Sequence, residues 1–372
     1  MFECPQGVKQ GCLLSPLMFS FFINELAIEI SKGGKHGIQL IPEAVEIFLL
    51  LFADDVALVS NTAIGLQNQL NLLKQEADRL KLTVNLDKTN VIVFRKGGYL
   101  SSKEKWMYGN LEVKVTNNYK YLGVYFSTRM SFTAAWNELC MKGKKGVIEI
   151  LRVLRKLSSN NPSIFWKLFD SQVKPVLTYA AEIWGLYINN PIEKIHTFAI
   201  KRFLNVPLHS SNLVVYGETG RYPLYIDTYM KCIKFWLRIL KLPITRLCKQ
   251  AYEMLHQQHE SGKLNWISNI KKVLSENGFE IVWVIQGVGD EDMFLSEFKD
   301  RIICSFKQNR HGNMEKGTKY EWFLSFKNNL QPEKYLSIIN NRWNRSALAR
   351  LRTRTLGLMR IKDGLKPLWN YI

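Results

Sequence analysis

Apolar residues dominate the stretch from Leu13 to Ile30, interrupted by Asn24 and Glu25. Ser15-Pro16 at its head supplies a capping hydroxyl and a ring that the first helical turn tolerates, so a helix is predicted from about Leu17 to Ile30. Gly33, Gly34 and Gly37 end it. The pattern then changes to two short apolar runs, Ile47 to Phe52 and Val56 to Val59, on either side of Ala53-Asp54-Asp55. That arrangement predicts a buried β-hairpin with two acids at its tip, and Phe52, inside an apolar run, is expected to pack in the core.

Leu66, Leu70, Leu73, Ala77 and Leu80 recur at steps of three and four and predict an amphipathic helix from about Ala63 to Leu82. Strands are predicted at Thr83-Val84, Val91 to Phe94, Val113 to Thr116 and Tyr121 to Phe126, with a turn at Asn85-Leu86-Asp87-Lys88. Beyond Ser131 helical periodicity takes over, punctuated by Pro162, Pro175, Pro191, Pro207, Pro223, Pro243 and Pro332. The expected fold class is α+β. An α+β part over residues 1–130 precedes a helical part over 131–210 and a mainly helical part over 211–372.

Charge divides the chain differently. Its 372 residues carry 51 Lys+Arg against 32 Asp+Glu, a formal net charge of +19, under 47% hydrophobic composition. A disordered chain is excluded, and the excess calls for a polyanion, either nucleic acid or an anionic membrane surface. A spanning helix needs about 20 consecutive apolar residues, and no such run exists, which favours nucleic acid. Residues 186–372 hold 29 of the basic residues and 16 of the acidic ones. Near their end, Arg342, Arg345, Arg350, Arg352 and Arg354 form an arginine-rich stretch flanked by Trp343 and Trp369, a candidate phosphate-binding set with a solvated helix face as the plain alternative. The six cysteines show no C-x-x-C pair, so neither a disulfide framework nor a zinc ribbon is indicated.

The sharpest chemical feature is the Asp54-Asp55 pair. Two like charges side by side in an apolar hairpin need neutralising, and hard divalent cations such as Mg²⁺ prefer carboxylate oxygen. For an isolated Asp-Asp, a simple exposed turn is the ordinary explanation.

The surroundings change that balance. Gly7-Val8-Lys9-Gln10-Gly11-Cys12-Leu13-Leu14-Ser15-Pro16-Leu17 and Phe52-Ala53-Asp54-Asp55 resemble two motifs of non-LTR (LINE-like) retrotransposon reverse transcriptases, GVxQGxxLSPxLF and [FY]ADD. Leu82 to Thr89 followed by Val93-Phe94 resembles the family's GLxxNxxKTxxxxF segment, and Tyr121-Leu122-Gly123-Val124 resembles its YLG segment. Four motifs in family order make a specific resemblance. It continues over Lys174 to Gly185 and, more loosely, over Ala347 to Arg352.

The resemblance implies a polymerase palm remainder over 1–130, a thumb-like region over 131–210 and a basic C-terminal region over 211–372. It further implies template-directed nucleotidyl transfer with Mg²⁺ (or Mn²⁺), using an RNA template, a DNA primer and deoxynucleoside triphosphates. Asp54 and Asp55 would hold metal, and Lys88 would neutralise the departing pyrophosphate. Gln10, Gly11, Ser15 and Pro16 would lie beside template and nucleotide; Tyr121, Leu122 and Gly123 would contact the primer. Family polymerases also use an aspartate and fingers from upstream of the Gln-Gly motif. The chain is accordingly expected to be a truncated or internally initiated C-terminal part, poorly active alone, in an intracellular ribonucleoprotein of nucleus or cytoplasm. A non-catalytic nucleic-acid-binding remnant is the alternative.

Overall fold

The computed structural model describes residues 11–32, 36–42, 46–98, 104–187 and 191–355. The chain divides into two compact units, Met1–Ala135 with Ile239–Ile267, and Trp136–Arg238 with Ser268–Ile372.

The first unit begins with α1 (Ser15–Lys32), which turns Ile23, Leu26 and Ile30 inward at steps of three and four. The hairpin of β1 (Leu49–Phe52) and β2 (Asp55–Leu58) follows, with Phe52 opposite Asp55. Next comes α2 (Ala63–Arg79), whose start is fixed by the Thr62 hydroxyl accepting from Gly65 N at 3.0 Å. Leu70 and Leu73 of α2 meet α1 in a core that also holds Val91, Trp106, Tyr108 and Val113. The helix and hairpin predicted from periodicity are present, although the hairpin is half-buried to exposed rather than buried.

The remaining strands are shorter and differently connected than the pattern suggests. Asn90–Val91 (β3) pairs in parallel with Leu111–Val115 (β5), which pairs antiparallel with Trp106–Tyr108 (β4). Thr83-Val84 is not a strand. The unpredicted β4 is held on α2 by side chains: the Gln67 amide accepts from Met107 N and donates to Met107 O, both at 2.8 Å, and the Trp106 indole donates to Ala63 O at 3.1 Å. The predicted single strand Tyr121 to Phe126 is instead the turn of a hairpin, β6 (Asn118–Tyr121) and β7 (Val124–Ser127). Leu122 and Gly123 both take positive φ, 47° and 83°, the backbone that a two-residue hairpin loop demands.

Within the first unit's second stretch lies α10 (Leu247–Glu260). The second unit is built of helices. These are α3 (Thr133–Lys156), α4 (Pro162–Leu168), α5 (Lys174–Leu177), α6 (Ala181–Trp184), α7 (Ile192–Leu204), α8 (Asn212–Thr219), α9 (Leu224–Leu240) and α11 (Trp266–Glu276), followed by α12 (Glu280–Val284), α13 (Glu291–Glu315), α14 (Glu321–Leu324), α15 (Tyr335–Ile338) and α16 (Arg342–Arg352). Pro175 does not break the chain sharply. A π-helical turn, Phe169–Val173, precedes it and spares the carbonyl clash that an α-turn would impose. Among the described residues no helix is long and apolar enough to cross a membrane.

Three carboxylates of the second unit are held by surrounding donors. Glu218, fully buried, accepts from Tyr335 OH at 2.7 Å and from Arg352 Nε at 2.9 Å. Arg352 also reaches Glu333 at 3.0 Å, which holds Lys327 in turn. The carboxylate of Glu193 collects His196 Nδ1 at 2.8 Å, the Tyr216 hydroxyl and Leu224 N at 2.6 Å. Asp170 receives both Arg221 terminal nitrogens, at 2.8 and 2.6 Å. Burial pushes the Asp170 carboxyl up, but Arg221 and Lys174 outweigh it and hold it below its usual 3.8. A depressed folded-state value contributes stability above about pH 3.8 that is lost as pH falls through and below it. Acid unfolding of the chain, followed by circular dichroism, should therefore shift to higher pH in Arg221→Ala, while Asp170→Asn flattens the pH dependence below 4.

Candidate active site

The hairpin loop is Ala53-Asp54, with Asp55 the first residue of β2. Ala53 takes φ 52°, a left-handed backbone that costs an L-residue about 1 kcal/mol. The loop presents both carboxylates to solvent. Among the described residues neither makes a hydrogen bond or salt bridge, so two adjacent negative charges stand uncompensated. Phe52 is not in the core as the apolar run suggests, being 61% exposed. The reason is strand alternation: Leu49 and Leu51 turn inward, with Leu51 against the core, whereas Leu50 and Phe52 share the opposite face.

Lys88 sits in a loop that its own side chains tie down. Asn85 Oδ1 accepts from Lys88 N at 3.2 Å, the Thr89 hydroxyl donates to Asn85 O at 2.8 Å, and the Asn90 amide donates to Lys88 O at 3.1 Å. That accounts physically for Asn and Thr at this spacing. The backbone is fixed so that the exposed ammonium is free to move.

Strand β6 links the two features. Tyr119 OH donates to Lys88 O at 2.8 Å, and two residues on, Tyr121 feels the Asp55 carboxylate. Burial is the larger cause of the raised Tyr121 phenol and the negative charge of Asp55 the second. The two tyrosines occupy alternate positions of one strand, hence one face. Strand β6 thus bonds to the Lys88 loop through Tyr119 and carries, at Tyr121, the phenol that the Asp55 charge reaches. Tyr119 is not among the residues that the motifs single out; its place two residues before Tyr121 is the available signal.

Gly123, at φ 83°, is required by this turn. Gly123→Val should cost about 1–2 kcal/mol of stability, read as a fall in the urea midpoint at unchanged slope.

Gln10 lies outside the described residues. Gly11, with φ +81°, opens the turn into α1, and Ser15 begins the helix, with its N–H bonded to Cys12 O at 3.3 Å and Pro16 in the first turn. The Cys12 thiol is lowered from its ordinary value by the Leu14 N–H, then by the Ser15 hydroxyl and N–H.

The five arginines of the C-terminal stretch do not form one surface. Helix α16 docks with Arg345, Ser346 and Ala349 buried and Arg352 on the same side. Arg345 donates to Asn160 O, Arg350 Nε donates to Asn205 O at 2.8 Å, and Arg352 joins the Glu218 network. Arg342 is half-buried and Arg354 exposed. Lys174 to Gly185, the other segment of the resemblance, falls on α5 and α6 of the second unit.

A hard divalent cation suits the aspartate tip. Adjacent carboxylates supply oxygen donors, and Mg²⁺ completes its octahedron with water and phosphate oxygens. Among the described residues no group of three or more His, Cys, Asp or Glu is placed to hold a metal, so the tip offers a two-residue donor set.

Residues 2–126 match the reverse transcriptase (RNA-dependent DNA polymerase) family, a span that contains Asp54, Asp55, Lys88 and Tyr121. The N-terminal third of the chain is thus a reverse transcriptase domain segment. Over 316 residues the chain is 24% identical to the retrovirus-related Pol polyprotein of a type-1 retrotransposable element from Nasonia vitripennis, covering 81% of this chain and 70% of that protein. Over 295 residues it is 22% identical to the corresponding polyprotein of a type-2 element from Drosophila melanogaster, covering 75% of this chain and 26% of that one. The chain is a relative of non-LTR retrotransposon Pol proteins and carries a segment of an RNA-directed DNA polymerase.

Proposed function

We propose that the chain carries the metal-holding part of a polymerase site that joins a primer 3′-hydroxyl to the α-phosphate of a deoxynucleoside triphosphate opposite an RNA template. The observation that supports this best is that β6 bonds to the Lys88 loop through Tyr119 and carries, at Tyr121, the phenol that the Asp55 charge reaches. Asp54 is the principal ligand of Mg²⁺ or Mn²⁺ and Asp55 the peripheral one. The ion, when bound, neutralises charge that builds on the phosphate oxygens. Lys88 offers a mobile ammonium to the departing pyrophosphate. Tyr121, on the supported face of β6, packs the primer end, and the left-handed Leu122-Gly123 turn brings backbone close to it. By the motif resemblance, Gln10, Gly11, Ser15 and Pro16 belong beside the template and the incoming nucleotide.

In this reading residues 1–130 are palm, 131–210 thumb-like and 211–372 a basic region for nucleic acid, and a further aspartate from upstream polypeptide completes the metal set. The test is primer extension on an RNA template with Mg²⁺, using the chain alone and joined to the upstream half of a polymerase domain from a related element. Template-matched incorporation by the joined protein, and little by the chain alone, is the expected result. Incorporation that ignores the template base, or none in the joined protein although it binds primer–template, would overturn the reading.

A further inference from the structure

The second unit contains a cleft whose charges, unlike those of Glu218, Glu193 and Asp170, are not balanced. It is lined by Arg155 near the end of α3, Arg202 near the end of α7, and Arg342 and Arg345 in the first turns of α16. Leu154 and Phe203 form its buried apolar floor, and among the described residues no acid lines it. Four arginines from three helices therefore line one cleft.

Their proximity is felt electrostatically. Burial lowers Arg342 first, and the neighbouring Arg155 charge lowers it further. Burial likewise lowers Arg345, Tyr335 opposes, and Arg342 adds to the depression. Such a cluster is costly to a protein that leaves it empty and favourable to one that fills it with an anion.

The cleft is also rigid. Arg345 is held by its bond to Asn160 O and lies 4.6 Å over the Phe203 ring, while Arg202 lies 5.3 Å over Phe198. Asn341 Oδ1 accepts from Trp343 N at 2.9 Å and Asn344 N at 3.2 Å, fixing the first turn of α16. Next to Arg342, the Trp343 side chain is 76% exposed, a large aromatic surface turned to solvent.

We propose that this cleft is a backbone-phosphate subsite for single-stranded nucleic acid, with Arg155, Arg202 and Arg342 on the phosphate, Arg345 as the positioning charge beneath them, and Trp343 as a stacking platform for the adjoining base. Planar guanidinium forks match phosphate oxygens in pairs, and a base stacked on an aromatic ring suits an unpaired strand rather than a duplex. The inference rests on the reading that the chain handles nucleic acid, and is independent of the metal chemistry at Asp54.

The test is fluorescence anisotropy of the full chain with a labelled single-stranded RNA of about 16 nucleotides, across a salt series, with a duplex of equal length for comparison. Arg155→Ala, Arg202→Ala and Arg342→Ala are combined, and Trp343→Ala is made separately. Lys263→Ala with Lys316→Ala serves as a charge control, and circular dichroism establishes folding. The triple variant should bind at least about tenfold more weakly, with its salt slope reduced by roughly 0.7 for each phosphate no longer neutralised. Trp343→Ala should weaken single-strand binding about fivefold or more and leave duplex binding near unchanged. Arg342→Lys, which keeps charge but loses the fork, should fall between.

Unchanged affinity and slope in a folded triple variant would overturn the proposal, as would an equal loss from the lysine control. Displacement of the RNA by inorganic phosphate at equal phosphate concentration would also overturn it, since the cleft would then serve a free anion. Asp54→Ala should leave binding intact. A triple variant that binds normally while Asp54→Ala still blocks primer extension would refute this subsite and leave the polymerase reading standing.

Discussion

Replacing Asp54 with alanine should lower RNA-templated nucleotide incorporation by about 10²-fold or more in the joined polymerase, with primer–template affinity nearly unchanged. The magnitude follows from what the residue lacks as much as from what it offers. Asp54 makes no hydrogen bond or salt bridge among the described residues, so its removal leaves no buried group orphaned. A carboxylate at a two-residue hairpin loop carries little of the fold, and Asp54→Ala should melt within about 1 kcal/mol of the parent. Loss of activity at preserved stability is the pattern of an electrostatic role in the transition state. Asp55→Ala should be milder in activity, yet it should also shift the Tyr121 phenol downward, because the Asp55 charge is one of the two causes that raise it.

The largest stability effect is expected in the second unit. Arg352→Ala removes the cation that Glu218 and Glu333 share, and strands a fully buried carboxylate. Breaking one side of a buried pair costs about 3–5 kcal/mol, enough to displace the urea midpoint of the chain strongly. The effect depends on pH in a defined direction. Burial raises the Glu218 carboxyl, and Arg352, with the Tyr335 hydroxyl, pulls it back down. A raised folded-state value means stability that is present below the ordinary 4.5 and lost as pH rises through the folded value. Without Arg352 that loss is larger, so the gap between parent and variant should widen between about pH 4.5 and 7. Replacing Glu218 and Arg352 together with apolar residues of similar volume should recover much of the stability. A gap that stays constant with pH would contradict the charge argument.

Much of the first unit is legible in the sequence because its signals are local. The stripe Leu66, Leu70, Leu73, Ala77 fixes α2, and two apolar runs around Asp54-Asp55 fix the hairpin. What escapes is set by short elements and by distance. Strand β4 has three residues, too few for alternation to show, and it is held by Gln67, 40 positions earlier in the chain. The turn at Leu122-Gly123 reads as strand because leucine rarely takes positive φ, and no Asn-Gly or Asp-Gly marks it. Phe52 looks internal because an apolar run does not say which face of a strand is covered.

The arginine helix shows the same limit most clearly. At helical spacing, Arg345 and Arg352 read equally well as a basic surface or as an inward stripe. Glu218 decides between them for Arg352 and lies 134 positions away in sequence, where no pattern reveals it. The cleft arginines Arg155 and Arg202 are hidden for a similar reason, since they stand on different helices and three helices must pack before they meet.

If Asp54 and Asp55 hold a divalent metal beside the Tyr121 turn, iron-mediated cleavage will report it on the chain itself, without requiring a complete polymerase. Fe²⁺ replaces Mg²⁺, and ascorbate with peroxide generates hydroxyl radicals that cut backbone near the bound ion. Cuts are expected at the tip between β1 and β2 and at the Tyr121-Leu122-Gly123 turn, suppressed by excess Mg²⁺ and lost in Asp54→Ala. Cleavage absent from both places, or unchanged when Asp54 and Asp55 are both replaced, would contradict metal binding at the tip.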